Sequence, residues 1–261
     1  MFLDTHLART LENAIRYGLN CIEGVTLNAI KQSQKGLFDS AYSELYNYVN
    51  NCAAPTFNIL PIVNLTGPDR THLYLPPVYS DESCNIISLG IKKSLDAEIQ
   101  IKKLYPRCRF LGIDPNESIG KLFENQLSGI FINGRLTMDE ESNNVTRHNF
   151  KNFLDNFNDD RPIDVLFMDI NGQEFSLLEY IADNADALPP ICQINVELHF
   201  PHQHPPRGRN ILETLHTMSA KGRFLLLNMF PIGPFYRLFI INVADIRCEY
   251  AYLGYKINLI Y

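Results

Sequence analysis

The last two strands that the sequence predicts, residues 223–230 and 236–243, are separated by only five residues. Neighbouring parallel strands need a crossover of about a dozen residues or more, so a connection this short makes the pair antiparallel. Upstream, from residue 85, short apolar runs alternate with amphipathic segments, a pattern typical of strand–helix–strand units. The sequence therefore predicts an α/β fold with a seven-stranded, mostly parallel sheet that ends in an antiparallel hairpin.

The other predicted elements complete this architecture. Further strands are predicted at residues 85–91, 109–114, 129–136, 163–170 and 191–200, and helices at residues 95–105, 118–126, 147–157, 175–187 and 210–221. Residues 1–80 are predicted to form an N-terminal helical extension and a Pro-rich connector that is draped over the core. Residues 81–261 then form the main domain.

Composition restricts the partners and the compartment. The net charge is 23 − 29 = −6 and no basic run stands out, so a nucleic-acid partner is not expected. No apolar stretch has the length of a membrane span, and the N-terminus lacks the apolar region of a signal peptide. A cytoplasmic protein is favoured. Six scattered cysteines and sequons at Asn64, Asn116 and Asn144 leave a lumenal or secreted protein open.

An acid follows the most apolar predicted strand. Residues 163–168 are mostly apolar, and residues 165–168 run without alternation, which indicates a strand buried on both faces; Asp169 comes at its carboxyl end. Open α/β sheets place their ligands at that edge. Asp169 is therefore a candidate for a catalytic and a cofactor-binding role. The alternative is an ordinary strand followed by an Asn-Gly turn and an acid at a helix N-terminus.

Two earlier strand ends carry candidate cofactor-binding residues. Gly90 ends the first predicted strand, where a glycine lets the backbone turn tightly beside a ligand, although it is equally one glycine in one turn. Asp114 lies about 20 residues later, where Rossmann-like folds place an acid for ribose hydroxyls. Pro115 forces the chain to turn beside that carboxylate. Asn133 could read an adenine edge, or it could belong to a plain Asn-Gly turn.

Polar residues alternate along the strand predicted at residues 191–200. Gln193, Asn195, Glu197 and His199 share one face of it because side chains repeat every two residues. Glu197 and His199, nearest the carboxyl end, could converge with Asp169 as catalytic groups. A carboxylate and an imidazole suit removal of a hydroxyl proton, and they also suit a divalent metal, although no metal is predicted here. The alternative is a hydrogen-bonded strand end.

Five motifs in this order resemble the FkbM-type methyltransferases, in particular their animal branch. The motifs are SLG (88–90), GIDP (112–115), DINGQEF (169–175), QINVELH (193–199) and RLFIINVAD (237–245), so the resemblance covers roughly residues 80–250. It implies a class I methyltransferase fold, whose sheet ends in an antiparallel hairpin, and methyl transfer from S-adenosylmethionine to a hydroxyl. It places Gly90 and Asp114 at the cofactor and Asp169, Glu197 and His199 around the transfer site, and it names no acceptor. We also expect Ser88 to bind the cofactor, and the acceptor to be a small molecule or a glycan.

Two positions depart from the family pattern. Lys92 and Lys93 stand where the family commonly has Gly-His, and Asn171 replaces a glutamate. Glu174 is nearby but is expected to point elsewhere unless the turn is unusual. These departures keep open a non-catalytic binding or scaffold protein on the same fold. The Gly90–Asp114 spacing also suggests a nicotinamide-dependent oxidoreductase, although such a domain would usually end in another parallel strand.

Overall fold

The computed structural model of the protein describes residues 5–67, 71–79, 83–91, 94–138, 147–199 and 209–254. In chain order the elements are α1 (Thr5–Ser33), α2 (Phe38–Phe57), β1 (Val63–Thr66), β2 (Thr71–Tyr74), β3 (Asn85–Leu89), α3 (Asp96–Leu104), β4 (Arg109–Asp114), α4 (Glu117–Leu127), β5 (Ile130–Asn133), β6 (Arg135–Thr137), β7 (Arg147–Asn149), α5 (Phe150–Phe157), β8 (Val165–Met168), α6 (Glu174–Asn184), β9 (Gln193–Leu198), α7 (Ile211–Ala220), β10 (Phe224–Ile232), β11 (Phe235–Asn242), α8 (Ile246–Cys248) and a closing π-helix (Glu249–Leu253).

Seven strands form the central sheet in the order β10-β11-β9-β8-β3-β4-β5. Six of them are mutually parallel, and β11 runs antiparallel to both of its neighbours, β9 and β10. The predicted mostly parallel sheet with a C-terminal antiparallel hairpin is therefore confirmed. The strand order reverses direction between β3 and β8, and in open α/β sheets the crevice at such a point is where ligands bind.

The apolar content of the strands explains their positions in the sheet. All residues of β3 and of β8 are buried, as expected for strands covered by helices on both faces. Pro231 cannot donate a backbone hydrogen bond, and its strand, β10, lies at the edge of the sheet where this lack is tolerated. The hairpin turn itself contains only Gly233 and Pro234, and Gly233 has a φ of +53°.

Helices α1 and α2 pack against the same core as the sheet. Ile15 of α1, Val49 of α2 and Leu225 of β10 belong to one continuous cluster of buried apolar side chains. The N-terminal extension and the sheet therefore share one apolar core. The domain boundary at residue 80 stays a prediction. Among the described helices, not one combines the length and the apolar character that crossing a bilayer requires.

Three predicted segments differ in detail from the structure. Residues 129–136 divide into β5 of the central sheet and β6, which pairs with β7 in a separate ribbon. Residues 147–157 begin as β7 and become helical only at α5, where the Asn149 side chain accepts from the Lys151 N–H at 2.9 Å and caps the helix. The Pro-rich connector contains the end of α2 and the β1–β2 hairpin.

Candidate active site

A cavity of about 500 Å³ opens at the carboxyl ends of β3, β4 and β8. Ligand pockets for small molecules and cofactors typically measure about 300–1,000 Å³, and this volume lies within that range. Four residues predicted from the sequence line it, namely Gly90, Asp114, Pro115 and Asp169. They meet because the carboxyl ends of parallel strands lie along one edge of the sheet.

The Asp114 carboxylate is fixed in place by two backbone amides. Its Oδ2 accepts from the Ile91 N–H at 2.8 Å and its Oδ1 accepts from the Asn116 N–H at 2.7 Å. Each carboxylate oxygen can accept a further hydrogen bond, which leaves capacity for ligand hydroxyls. Burial raises the pKa of Asp114 above its ordinary value, although the two amides and the charge of Arg135 lower it in part.

Gly90 brings the end of β3 against the end of β8. Its φ is +74°, and a Cβ at this position would lie 2.0 Å from the carbonyl oxygen of Asp169. Only glycine adopts this conformation without strain, and no side chain fits in that gap. Gly90 is therefore required for the contact between the two strand ends as well as for the wall of the cavity.

Ser88 and Asn133 do not line this cavity. Ser88 is buried within β3, and its hydroxyl donates to Glu98 Oε1 at 2.8 Å. Asn133 is exposed at the end of β5, beside Asp114 in register. Their predicted cofactor contacts stay predictions. In the same region residues 134–137 of the chain line the cavity, together with Arg147 and Gln173.

These additional lining residues gave no recognisable signal in the sequence. Arg135 and Arg147 are directly paired in register across the β6–β7 ribbon, and both line the cavity. The two strands of the ribbon are separated in sequence by residues 138–146. The two arginines are therefore brought together by the fold and not by proximity in sequence. The two arginines bring positive charge to a cavity that the residues Asp114 and Asp169 also line.

The turn after β8 is unusual and redirects Glu174. Asn171 and Gly172 both have left-handed backbones, with φ of +51° and +99°. Asparagine tolerates this conformation better than other side chains do, which accounts for the residue at position 171. The Glu174 carboxylate folds back and its Oε2 accepts from the Gly172 N–H at 2.6 Å. Glu174 is fully buried at the start of α6.

Glu174 holds His199 in place. Its Oε1 accepts from the His199 backbone N–H at 3.0 Å and also contacts the ring Nδ1 of the same histidine. Glu174 was expected to point away from the site if the turn after β8 were an ordinary one. The turn is not ordinary, because residues 171 and 172 both have left-handed backbones. Burial alone lowers the pKa of His199, but the hydrogen bond with Glu174 and the nearby negative charges outweigh it. The pKa of His199 is therefore raised above 6.5.

Asp169, Glu197 and His199 converge as the sequence suggests. One potential ligand atom from each lies within 4.8 Å of the others, and all three residues are buried. These are the donor types that a divalent cation takes, so the cluster could hold one. Glu197 already has a cationic partner, because Arg237 lies opposite it on β11 and donates to its Oε2 at 3.0 Å. The catalytic roles of the three residues stay predictions.

The other two polar residues of β9 have a structural role. The Asn195 carboxamide bonds both the N–H and the carbonyl of Leu73, at 3.1 and 2.9 Å. Gln193 does the same with Leu75, at 2.8 and 2.9 Å. Each side chain forms the pair of backbone hydrogen bonds that an adjacent strand would form, and in this way holds the connector against the sheet. The polar face of β9 thus divides into an anchor at its start and a candidate active site at its end.

Two sequence features of interest lie outside the described residues. One is the Lys92–Lys93 pair, which departs from the family pattern. The other is the pair His202 and His204 of the Pro-rich segment after β9, which the sequence predicts to be exposed loop residues and not ligands. A second, smaller cavity of about 30 Å³ is lined in part by Gly90, Asp169 and Glu197. It lies beside the residues on either side of the Lys92–Lys93 pair. It has room for about one water molecule.

The order of the seven strands, the antiparallel β11 and the cavity at the carboxyl edge define a class I methyltransferase fold. A family model described as the methyltransferase FkbM domain matches residues 23–224. The chain therefore belongs to the FkbM methyltransferase family, and this family uses S-adenosylmethionine. No curated protein matches the sequence significantly.

Several solved structures resemble the fold at low identity. Fibrillarin from Aeropyrum pernix, solved with natively bound S-adenosyl-L-methionine, is 11% identical with a TM-score of 0.41, over 62% of this chain and 68% of that chain. A putative caffeoyl-CoA O-methyltransferase from Staphylococcus aureus is 15% identical with a TM-score of 0.34, over 61% and 76%. Likenesses of this size say nothing about the substrate of the present protein.

Proposed function

We propose that the protein transfers a methyl group from S-adenosylmethionine to a hydroxyl oxygen of a small molecule or a glycan. The observation that carries this proposal is the position of Asp169. Asp169 is one of the residues that line the 500 Å³ cavity, and its carboxylate belongs to the buried cluster with Glu197 and His199. A group at this junction can contact a cofactor on one side and an acceptor on the other.

The chain offers a consistent set of cofactor contacts. When bound, S-adenosylmethionine supplies an electrophilic methyl group on a sulfonium ion. Asp114, fixed by two amides, would accept hydrogen bonds from the ribose hydroxyls, and Gly90 would let the backbone approach the methionine portion. The volume of the cavity and the fixed carboxylate of Asp114 fit this ligand.

Asp169 is the group that we assign as general base. The hydroxyl oxygen would bond to the methyl carbon as the bond from that carbon to sulfur breaks, the electron pair would stay on sulfur in a neutral thioether, and Asp169 would take the proton that the hydroxyl loses. Glu197 is less suited because Arg237 neutralises it at 3.0 Å. His199 has a raised pKa, so at neutral pH a larger fraction of it is protonated than of an ordinary histidine, and that fraction cannot accept a proton. His199 and Glu174 instead position the cluster.

We assign no metal ion to the cluster, since Arg237 already compensates the charge of Glu197. The nicotinamide-dependent alternative has lost its basis, because the sheet ends in an antiparallel hairpin and the family is a methyltransferase family. The non-catalytic alternative still rests on the two departures from the family pattern, of which Asn171 lines the cavity and the Lys92–Lys93 pair lies outside the described residues.

Methyl-labelled S-adenosylmethionine and a panel of hydroxyl acceptors test the reaction. Monosaccharides, oligosaccharides, alcohols and phenols are incubated with the protein, and the products are analysed for labelled methyl ethers. We expect Asp169→Asn to lower kcat by roughly 10²- to 10⁴-fold, the contribution typical of a general base. Asp39→Asn, an exposed acid on α2, is the matched control and should leave the rate unchanged. Pretreatment with EDTA should also have no effect.

Two outcomes contradict the assignment. Label found on nitrogen or carbon, and not on oxygen, excludes O-methylation. Undiminished turnover by Asp169→Asn shows that another group removes the proton.

A further inference from the structure

All six cysteines of the chain lie within the described residues, and all of them are paired. The pairs are Cys21–Cys52, Cys84–Cys108 and Cys192–Cys248, with Cα atoms 5.5, 4.3 and 5.1 Å apart. These separations are close to those of natural disulfides. If the cysteines were free thiols, nothing would require every one of them to lie within bonding distance of another cysteine.

The three bonds fasten three different parts of the fold. Cys21–Cys52 joins α1 to α2, Cys84–Cys108 joins the starts of β3 and β4, and Cys192–Cys248 joins the start of β9 to α8. They span sequence separations of 31, 24 and 56 residues. Disulfides persist in oxidising compartments and are rare in the reducing cytosol. The pairing therefore indicates a protein that folds in an oxidising compartment.

One sequon is presented for modification. Asn64-Leu-Thr66 lies on β1, and the side chains alternate so that Leu65 is buried while Asn64 and Thr66 are exposed on the outer face. The Asn64 carboxamide makes no hydrogen bond to any residue that the structure describes. Asn64 is also not among the residues that line the two cavities at the candidate active site. A bulky group on Asn64 would therefore extend into solvent without covering the site.

The second sequon, at Asn116, is in a different environment. The Asn116 carboxamide caps α4, and its Oδ1 accepts from the N–H and the hydroxyl of Ser118 at 3.1 and 2.7 Å. Its neighbours Asp114 and Pro115 line the 500 Å³ cavity. A glycan here would lie at the rim of the candidate active site. The third sequon, at Asn144, is outside the described residues.

We propose that this protein matures in the oxidising lumen of a secretory pathway and carries an N-linked glycan on Asn64. In the transfer, Asn64 Nδ2 loses one proton and bonds to C1 of the first sugar. The bond from that carbon to the pyrophosphate of a lipid-linked oligosaccharide breaks, and the pyrophosphate leaves with the electron pair. The inference is independent of the proposed methyl transfer, because it rests on the cysteine pairs and on β1.

The test uses the full chain, expressed in cultured eukaryotic cells behind a cleavable secretory leader. The secreted protein is treated with a glycan-removing amidase in heavy-oxygen water, which marks each formerly glycosylated asparagine as a labelled aspartate. We expect the label at residue 64 by mass spectrometry. Asn64→Gln and Thr66→Ala should remove it, whereas Thr66→Ser retains the sequon and should retain the glycan. Since both side chains are exposed, these variants are expected to fold.

Ser118→Ala provides the matched control for the other sequon. It destroys the acceptor site at Asn116 but leaves that carboxamide to cap α4, and it should not change the glycan at residue 64. An unmodified Asn64 in the secreted, folded protein overturns the proposal. So does a copy without the leader that accumulates in the cytosol with free thiols and the same melting temperature as the secreted form.

Discussion

Glu174 binds His199 at two points, because its Oε1 accepts from the backbone N–H at 3.0 Å and contacts the ring Nδ1. The two residues come from different elements, the start of α6 and the end of β9, and both are buried. The carboxylate fixes the orientation of the imidazole beside Asp169. This pair therefore determines the geometry of the candidate active site, although Glu174 lines neither of its cavities.

Replacing Glu174 should lower the pKa of His199. In Glu174→Gln the shape is kept and the negative charge is lost, so the histidine loses both its charged hydrogen-bond partner and a favourable charge. We expect the imidazole resonances to titrate at a lower pH than in the unmodified protein, as measured by NMR. An unchanged titration would show that Asp169 and Glu197 alone raise the pKa. Glu44→Gln, on the exposed face of α2, is the control.

The same pair predicts a pH dependence of stability. Because the folded-state pKa of His199 is raised, the protonated histidine stabilises the fold. This contribution is complete below the unfolded pKa of about 6.5 and is lost as the pH rises through the folded value. The difference in unfolding free energy between the unmodified protein and His199→Gln should therefore shrink over that interval. Urea denaturation at a series of pH values measures it, and a difference that grows with pH contradicts this linkage.

Arg237 should matter more for stability than an ordinary surface arginine. It pairs with Glu197 at 3.0 Å, and it also donates to the Thr71 carbonyl at 2.8 Å, within the buried edge of the site. Arg237→Met leaves a buried carboxylate without its cation, which typically costs about 3–5 kcal/mol. Adding Glu197→Gln removes that charge and should restore part of the loss. A double variant as unstable as the sum of the two single ones would show that the pair is not coupled.

The Cys192–Cys248 bond should stabilise the fold substantially. A loop with a sequence separation of 56 residues corresponds to about 4 kcal/mol in the chain-entropy model. For a protein of this size that is a fall in melting temperature of roughly 10 °C when both cysteines are replaced by serine. Calorimetry of the oxidised protein measures the change. A melting temperature within about 2 °C of the unmodified protein would contradict a structural role for this bond.

Asn171 separates the catalytic from the non-catalytic interpretation. If the missing acid had abolished cofactor binding, Asn171→Glu should create measurable affinity for S-adenosylmethionine. We expect no gain, because Glu174 already supplies the buried carboxylate of this turn. Glutamate at a φ of +51° should instead destabilise the protein by about 1–2 kcal/mol. Asn171→Gly, which accepts that backbone, is the control and should retain both stability and affinity.

The sequence predicted the architecture because strands and helices differ in the period of their apolar residues. It also predicted Gly90, Asp114 and Asp169 at one edge, since strand ends in a parallel sheet meet there. It did not reveal the partnership of Arg237 with Glu197, which requires β11 to insert between β9 and β10. Nor could it give the disulfide pairing, because six cysteines allow 15 connectivities.

Local backbone conformation accounts for the other omissions. The left-handed pair at residues 171–172 directs Glu174 inward. In the sequence Glu174 is only an acid at the start of a predicted helix, which does not indicate this direction. The β1 and β2 strands have four residues each, too few for their alternation to be distinguished from a loop. Arg135 and Arg147 meet only through the β6–β7 ribbon.

Calorimetric titration with S-adenosylmethionine measures whether the cavity at the carboxyl edge of the sheet binds the cofactor. We expect saturable binding to the folded, unmodified protein and at least a tenfold loss of affinity in Asp114→Asn, about 1.4 kcal/mol. Because burial raises the pKa of Asp114, binding should also weaken on acidification at a higher pH than for an ordinary aspartate. Asp39→Asn should bind as the unmodified protein does. No heat of binding at millimolar cofactor, with folding confirmed by circular dichroism, would show that this cavity is not a site for S-adenosylmethionine.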